Sequence, residues 1–140
     1  MVGEAGILLL GPSGAGKSSV ARRLIEETGR EGGFAALVGD DRILLEVQGG
    51  RLLARPVPAI AGLLEVRGVG IVLLPHEPVC VVRLAVELRA TADIPRLPEP
   101  SEACFTRPNV SLPRVFAAPQ DAVSLVRWRI RGGSDTIMTE

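Results

Sequence analysis

The chain has 140 residues, of which 46% are hydrophobic and 23% charged, and these values predict one globular domain with a filled core. Its 16 basic and 16 acidic residues give zero formal net charge, and aromatic residues make up only 3%, which argues against a nucleic-acid partner. No apolar run is long enough to span a bilayer, and the first residues lack signal-peptide features. We therefore expect a cytoplasmic protein without a membrane partner.

The hydrophobic patterns predict a series of strands and helices in chain order. They are a strand at 6–10, a helix at 18–27, a strand at 34–38, a hairpin of 42–47 and 51–55, strands at 71–74 and 79–88, and a helix at 121–130. Residues 90–113 are proline-rich and weakly patterned, which predicts a loop. The expected domain is therefore 1–131, followed by a flexible tail at 132–140.

The segment between the first strand and the first helix, GPSGAGKS at 11–18, is a complete P-loop pattern. Strand, glycine loop and helix in that order predict a phosphate site, because backbone N–H groups and the helix N-terminus converge on phosphate oxygens. Lys17, the only lysine, is expected to reach the terminal phosphates, and the Ser18 hydroxyl to bind Mg²⁺. The candidate cofactor-binding residues are Gly11, Ser13, Gly14, Ala15, Gly16, Lys17, Ser18 and Ser19.

Two adjacent carboxylates, Asp40 and Asp41, follow the second predicted strand. This is where a P-loop enzyme places a carboxylate to work with Mg²⁺ and the nucleophile. One of the two is expected to face the phosphates, because adjacent strand residues point to opposite faces, although both can do so past the strand end. The alternative interpretation is an Asp-rich turn that opens the hairpin.

A third pattern places Glu65 and Arg67 two residues apart inside an otherwise apolar run at 62–71. On an extended segment both side chains project to the same side. If buried, they need each other, a metal or a phosphate, because an unpaired buried charge is costly. The alternative is an exposed ion pair on an edge strand.

Three segments together, GPSGAGKS at 11–18, LVGDD at 37–41 and GLLEVRGVGI at 62–71, resemble the catalytic domain of the HPr kinase/phosphorylase family, in a short form similar to alphaproteobacterial members. The resemblance covers about residues 6–98 and continues more weakly to about 130. It implies an α/β fold, namely a phosphoenolpyruvate-carboxykinase-like P-loop kinase core with a mixed β-sheet.

The resemblance also implies an activity and roles for single residues. The enzyme would use ATP and Mg²⁺ to phosphorylate a serine of HPr, the phosphocarrier protein of the phosphotransferase system, and would reverse this by phosphorolysis, with inorganic phosphate or pyrophosphate as ligands. Asp40 would exchange the serine proton with support from Asp41, Glu65 would help Ser18 hold Mg²⁺, and Arg67 would contact phosphate. Family members also form homo-oligomers.

One departure from the family pattern leaves alternatives open. The family has a histidine on the strand before the P-loop strand, whereas the ten residues before this P-loop contain none, and His76 is expected to be a loop residue. Either Met1 is an internal start, which predicts an unpaired edge beside the P-loop strand, or the chain is a variant with altered phosphorylase chemistry.

The alternative functions are a small P-loop kinase acting on a metabolite and a nucleotide-binding regulator without catalysis.

Overall fold

A computed structural model describes residues 1–132, and residues 133–140, which include most of the predicted tail, lie outside the described part. The elements in chain order are β1 (Gly6–Leu10), α1 (Lys17–Arg30), β2 (Ile43–Gln48), β3 (Arg51–Pro56), β4 (Leu63–Val66), β5 (Gly70–Leu73), β6 (Cys80–Leu88), β7 (Cys104–Arg107), β8 (Val110–Ala117) and α2 (Pro119–Ile130). Short 3₁₀ turns lie at Pro58–Ile60 and Thr91–Asp93.

The main sheet has six strands and is mixed, as predicted. Its order is β2-β3-β6-β8-β7, and β1 pairs with the long central strand β6 outside this path. The pairs β1–β6 and β6–β8 are parallel, whereas β2–β3, β3–β6 and β7–β8 are antiparallel. The carboxyl ends of β1, β6 and β8 therefore meet at one edge of the sheet, where open α/β sheets bind ligands.

Two apolar clusters pack against the sheet. On one side, α1 and α2 bury Val20, Val86 and Val126 together, each with no exposed surface. On the other side, Leu52, Ala85 and neighbouring apolar residues form the second cluster. Side chains of β1 pack against the first cluster, and the second cluster includes a residue of β1. The strand that leads into the P-loop is therefore fixed from both faces.

Several sequence predictions are confirmed, and two are wrong. The hairpin turn at Gly49 and Gly50 is present, with both residues at positive φ (59° and 74°), which suits a tight hairpin turn. Residues 34–38 do not form the predicted strand, since they make only isolated bridges, Val2 to Ala35 and Leu37 to His76. Residues 90–113 are not one loop either, because they contain β7 and the start of β8.

The outer edge of β1, on the side away from β6, faces a cavity. Among residues 1–132, β1 has β6 as its only strand partner. Ile7 and Leu8, which point to opposite faces, both line one cavity of about 140 Å³, so this cavity lies beside the strand, in the plane of the sheet. The partly buried Met1 ammonium donates to Ala36 O (2.7 Å) beside this cavity, and its burial lowers the pKa of this group.

Candidate active site

The P-loop joins β1 to α1 in the conformation that its glycines predict. Gly16, the residue before α1, has φ 96°, and a Cβ on Gly11 would lie 3.1 Å from Ala15 Cβ. A side chain at either position would therefore strain the loop or crowd it. Because the first turn of α1 contains no acidic residue, its free N–H groups and positive helix end remain available to an anion.

Lys17 lies folded back on its own loop. Its ammonium group donates hydrogen bonds to Gly11 O and to Pro12 O, the latter at 3.2 Å. Both acceptors are neutral carbonyls, so a phosphate oxygen would offer this cation a stronger, charge-assisted partner. Lys17 therefore lies against the glycine loop, and its contact with phosphate stays a prediction.

The hydroxyl of Ser18 donates a 2.7 Å hydrogen bond to Asp40 Oδ1, which joins two motifs that stand 22 residues apart. Asp40 follows the irregular segment at 34–39, and Arg42 N bonds back to Asp40 O (2.6 Å) in a tight turn. Asp41 sits in the middle of that turn at φ 58° with its side chain exposed. One carboxylate of the pair therefore contacts the P-loop, and Lys17, Asp40 and Asp41 line the same cavity.

Glu65 and Arg67 are not buried, so neither needs a partner charge to offset burial. Both side chains are exposed on the separate hairpin of β4 and β5, and among the described residues no ion pair joins them. The alternation of the strand explains this result, because Leu64 takes the buried face (1% exposed) and Glu65 the opposite one. No contact within residues 1–132 links Glu65 or Arg67 to Ser18 or Asp40, so their assignment to metal and phosphate rests on the family resemblance.

His76 lies in the exposed loop after β5, as predicted. Its Nδ1 lies 3.1 Å from Leu74 O, and its ring packs over Gly62, where an added Cβ would lie 2.3 Å from Nδ1. Its backbone bridges in parallel to Leu37, three residues before Asp40. His76 therefore helps to place the segment that carries the carboxylate.

The residues present fit a magnesium ion held mainly by phosphate oxygens. Among residues 1–132 no group of three or more His, Cys, Asp or Glu side chains could hold a metal by itself. Mg²⁺ in phosphoryl-transfer sites needs only one or two protein ligands besides phosphates and waters. The hydroxyl of Ser18 and the carboxylate of Asp40, 2.7 Å apart, supply such a pair.

Sequence reasoning missed the residues after β8 that border the P-loop. A Cβ on Gly16 would lie 3.4 Å from Pro119 Cβ, and Arg23 of α1 donates to Pro119 O (2.6 Å). The sequence contains little that indicates this position beside the P-loop, because Ala117 and Ala118 carry no functional groups. Only the parallel pairing of β6 with β8 brings this segment to the site.

The mixed sheet, the glycine loop and the Ser18–Asp40 contact together have the arrangement of a P-loop kinase core. The family model of the HPr Serine kinase C-terminal domain matches residues 1–76, more than half of the chain. The chain therefore belongs to this family.

Individual proteins show the same likeness. The chain is 36% identical over 66 residues to the HPr kinase/phosphorylase of Mycoplasma mycoides and 41% identical over 68 residues to that of Brevibacillus brevis, alignments that cover 47% and 48% of this chain. They span only 19% and 20% of those two proteins. The Hpr(Ser) kinase/phosphatase structure from Coxiella burnetii matches with a TM-score of 0.75 over 95% of this chain and 93% of that one, at 23% identity, which shows a shared fold.

Proposed function

We propose that this protein is a Mg²⁺-dependent protein-serine kinase that transfers a phosphoryl group from ATP to an HPr-like phosphocarrier protein in the cytoplasm. Membership of the HPr Serine kinase C-terminal domain family supports the reaction class. The observation that carries the proposal is the 2.7 Å contact of Ser18 with Asp40, because it unites a phosphate cradle with a carboxylate. No helix among residues 1–132 could cross a membrane.

The P-loop would hold the triphosphate before any chemistry takes place. Its backbone N–H groups and the N-terminus of α1 would surround the phosphates, and Lys17 would exchange its two carbonyl acceptors for phosphate oxygens. Ser18 and Asp40 would hold the magnesium ion. When bound, this ion would neutralise part of the negative charge of the phosphates. This arrangement orients the terminal phosphoryl group toward the cavity that Lys17, Asp40 and Asp41 line.

Asp40 would take the proton of the attacking serine hydroxyl. Within residues 1–132 its Oδ1 accepts the bond from Ser18 and its Oδ2 accepts none, so one oxygen remains for the substrate. A carboxylate is a weak base toward a hydroxyl, and its benefit comes from orientation and late proton transfer. Asp41, exposed in the adjacent turn, would support this group through its charge.

The same cradle could serve the reverse reaction. Phosphorolysis places inorganic phosphate where the serine hydroxyl would be, next to the P-loop, and Asp40 would return a proton to the leaving serine. The similar Mycoplasma and Brevibacillus proteins are named for both activities. We propose Glu65 as an additional metal ligand and Arg67 as a phosphate contact on the family resemblance alone.

The decisive experiment incubates the protein with ATP, Mg²⁺ and purified HPr, and measures phosphoserine by mass spectrometry. We expect transfer to one serine by the unchanged protein and none by Lys17→Ala. Nucleotide binding without transfer would instead identify a regulator, and transfer to a metabolite but not to HPr would identify a metabolite kinase. Addition of phosphate to purified phospho-HPr then tests the reverse direction separately.

A further inference from the structure

A second pocket, of about 650 Å³, lies at the amino end of β1, and within residues 1–132 none of its lining belongs to the P-loop. We call it the amino-edge pocket, and its polar and aromatic lining residues are Glu4, Thr28, Glu31, Phe34, Arg83, Arg127 and Arg131. The helix α1 begins at Lys17 in the P-loop and ends at Arg30, next to Glu31 in the pocket wall. A helix of 14 residues is about 20 Å long, so the pocket is separate from the phosphate cradle.

Arg83 enters the amino-edge pocket from a β-bulge in β6. On β1, Gly6 pairs with Val82 and the next residue pairs with Leu84, so Arg83 is the extra residue of the ladder. The bulge inverts the alternation of the strand, because Val82 belongs to one core cluster and Leu84, two residues later, to the other. Arg83 is therefore exposed although it lies on the central strand of the sheet.

The other two arginines of the pocket already have carboxylate partners. Arg127 contacts Glu27 (3.6 Å) and Glu31, and Arg131 contacts Glu31 at 2.8 Å. Both also lie at the carboxyl end of α2, where a positive charge offsets the negative end of the helix. Among the described residues, Arg83 is thus the guanidinium of this pocket that has no carboxylate partner.

The pocket wall also contains an unpaired hydroxyl and apolar surface. Thr28 is only 8% exposed, and its hydroxyl has no hydrogen-bond partner within residues 1–132. Buried polar groups are normally paired, so a ligand oxygen near Thr28 would satisfy this hydroxyl. Phe34, which is 52% exposed, and Ile130 add apolar surface to the same pocket. A concave site that combines apolar walls with a few polar groups is typical of small-molecule binding.

We propose that the amino-edge pocket binds a small organic anion. Its carboxylate or phosphate group lies on the guanidinium of Arg83, whose planar donors match the oxygens of both groups. Its apolar body lies on Phe34 and Ile130. Glu4, an exposed carboxylate in the turn before β1, disfavours a second anionic group on the ligand. This site goes beyond the proposed kinase function and does not depend on it.

NMR titration of the full chain tests the proposal, because the shifted signals show where each compound binds. The probes are benzoate and phenyl phosphate, and the uncharged control compound is benzyl alcohol. Both anions should shift the amide signals of Thr28, Phe34 and Arg83 with a Kd of about 1 mM, and benzyl alcohol should bind at least about 10-fold more weakly. The signals of Gly14 and Lys17 report separately on the phosphate cradle.

The titration distinguishes the possible outcomes. Binding of both anions supports the site, and binding of only one supports it and identifies the anionic group that it takes. If neither anion shifts the signals of the amino-edge pocket, or if benzyl alcohol binds as tightly as the anions, the proposal is overturned. Because the phosphate cradle has its own signals, its behaviour and the outcome of the HPr assay do not affect this result.

Variants test the role of single residues. Arg83→Gln should weaken anion binding about 10-fold, because a charge-assisted contact is lost, and Phe34→Ala should weaken it about 3-fold. Arg51→Gln, at an exposed arginine of β3, is the matched control and should leave the affinity within twofold. Glu4→Gln should preserve or increase the affinity for both anions. Urea midpoints show that each variant is folded. Equal affinities of folded Arg83→Gln and Arg51→Gln overturn the proposal, and weaker anion binding by Glu4→Gln overturns the assignment of the ligand as an anion.

Discussion

Gly62, the first residue of the segment at 62–71, offers a sharp test of how the site is held. An alanine there suffers in two ways, because its φ of 77° is unfavourable for a side chain and its Cβ would lie 2.3 Å from Nδ1 of His76. The left-handed conformation costs about 1–2 kcal/mol for a residue with a Cβ. Displacing the imidazole ring from Leu74 O adds about 1 kcal/mol, since His76 is exposed and can swing into solvent. We expect Gly62→Ala to lower the free energy of unfolding by about 2–3 kcal/mol.

The chain contains a matched control in Gly68. This residue also has a left-handed φ (84°), but no atom lies within 4 Å of its added Cβ. Gly68→Ala should therefore cost only the conformational part, about 1–2 kcal/mol. The double variant Gly62→Ala/His76→Ala should fall close to Gly68→Ala, because the clashing ring is gone. Urea unfolding followed by circular dichroism measures the free energy of unfolding of the unchanged protein and of the three variants. Equal losses for Gly62→Ala and Gly68→Ala would refute the role assigned to the His76 ring.

Three further predictions address the cradle, the carboxylates and the core. Lys17→Ala should weaken tripolyphosphate binding about 10- to 100-fold, because a charge-assisted contact is lost from the loop, and calorimetry measures this change. Unchanged binding would contradict the placement of Lys17 over the phosphates. Asp40→Asn should slow transfer to HPr about 10²- to 10⁴-fold, and Asp41→Asn should slow it less. The reverse order in initial rates would make Asp41 the base. Leu52→Ala should lower the free energy of unfolding by about 2–5 kcal/mol, because Leu52 is only 1% exposed, whereas exposed Leu44→Ala should stay under about 1 kcal/mol.

Local sequence was sufficient for the parts of the fold whose geometry is set within a few residues. The P-loop strand, its helix and the Gly49–Gly50 hairpin follow from hydrophobic periodicity and glycine chemistry, and all three are present. The hairpin of β7 and β8 was missed because Pro113 stands inside β8, and proline argues against a strand. Pairing of β6 with β8 begins only at Arg114, so the missing N–H of Pro113 removes no hydrogen bond from that ladder.

The site could be predicted only in part, for a similar physical reason. The partnership of the P-loop with Asp40 followed from motif order, and the structure adds the atoms through which it occurs, Ser18 Oγ and Asp40 Oδ1. The exposure of Glu65 and Arg67 could not be predicted from the pattern alone. The two-residue alternation of a strand shows which residues share a face, but it does not show which face meets the core. Only the packing of Leu64 into the interior settles that choice.

The position of Asp40 depends on segments that are distant in the chain, and this dependence links stability to activity. Asp40 ends an irregular stretch whose Leu37 N donates to Pro75 O (2.8 Å) and whose Leu37 O accepts from Glu77 N (2.9 Å). If the clash shifts the backbone of His76 as well as its ring, it also displaces the stretch that delivers the carboxylate to Ser18. In transfer assays at a temperature where both variants are fully folded, Gly62→Ala should lose more of the HPr phosphorylation rate than Gly68→Ala. If the two variants retain equal rates while differing in stability, Asp40 is held by its own turn and its bond to Ser18, and the pairing with residues 75–77 contributes to folding alone.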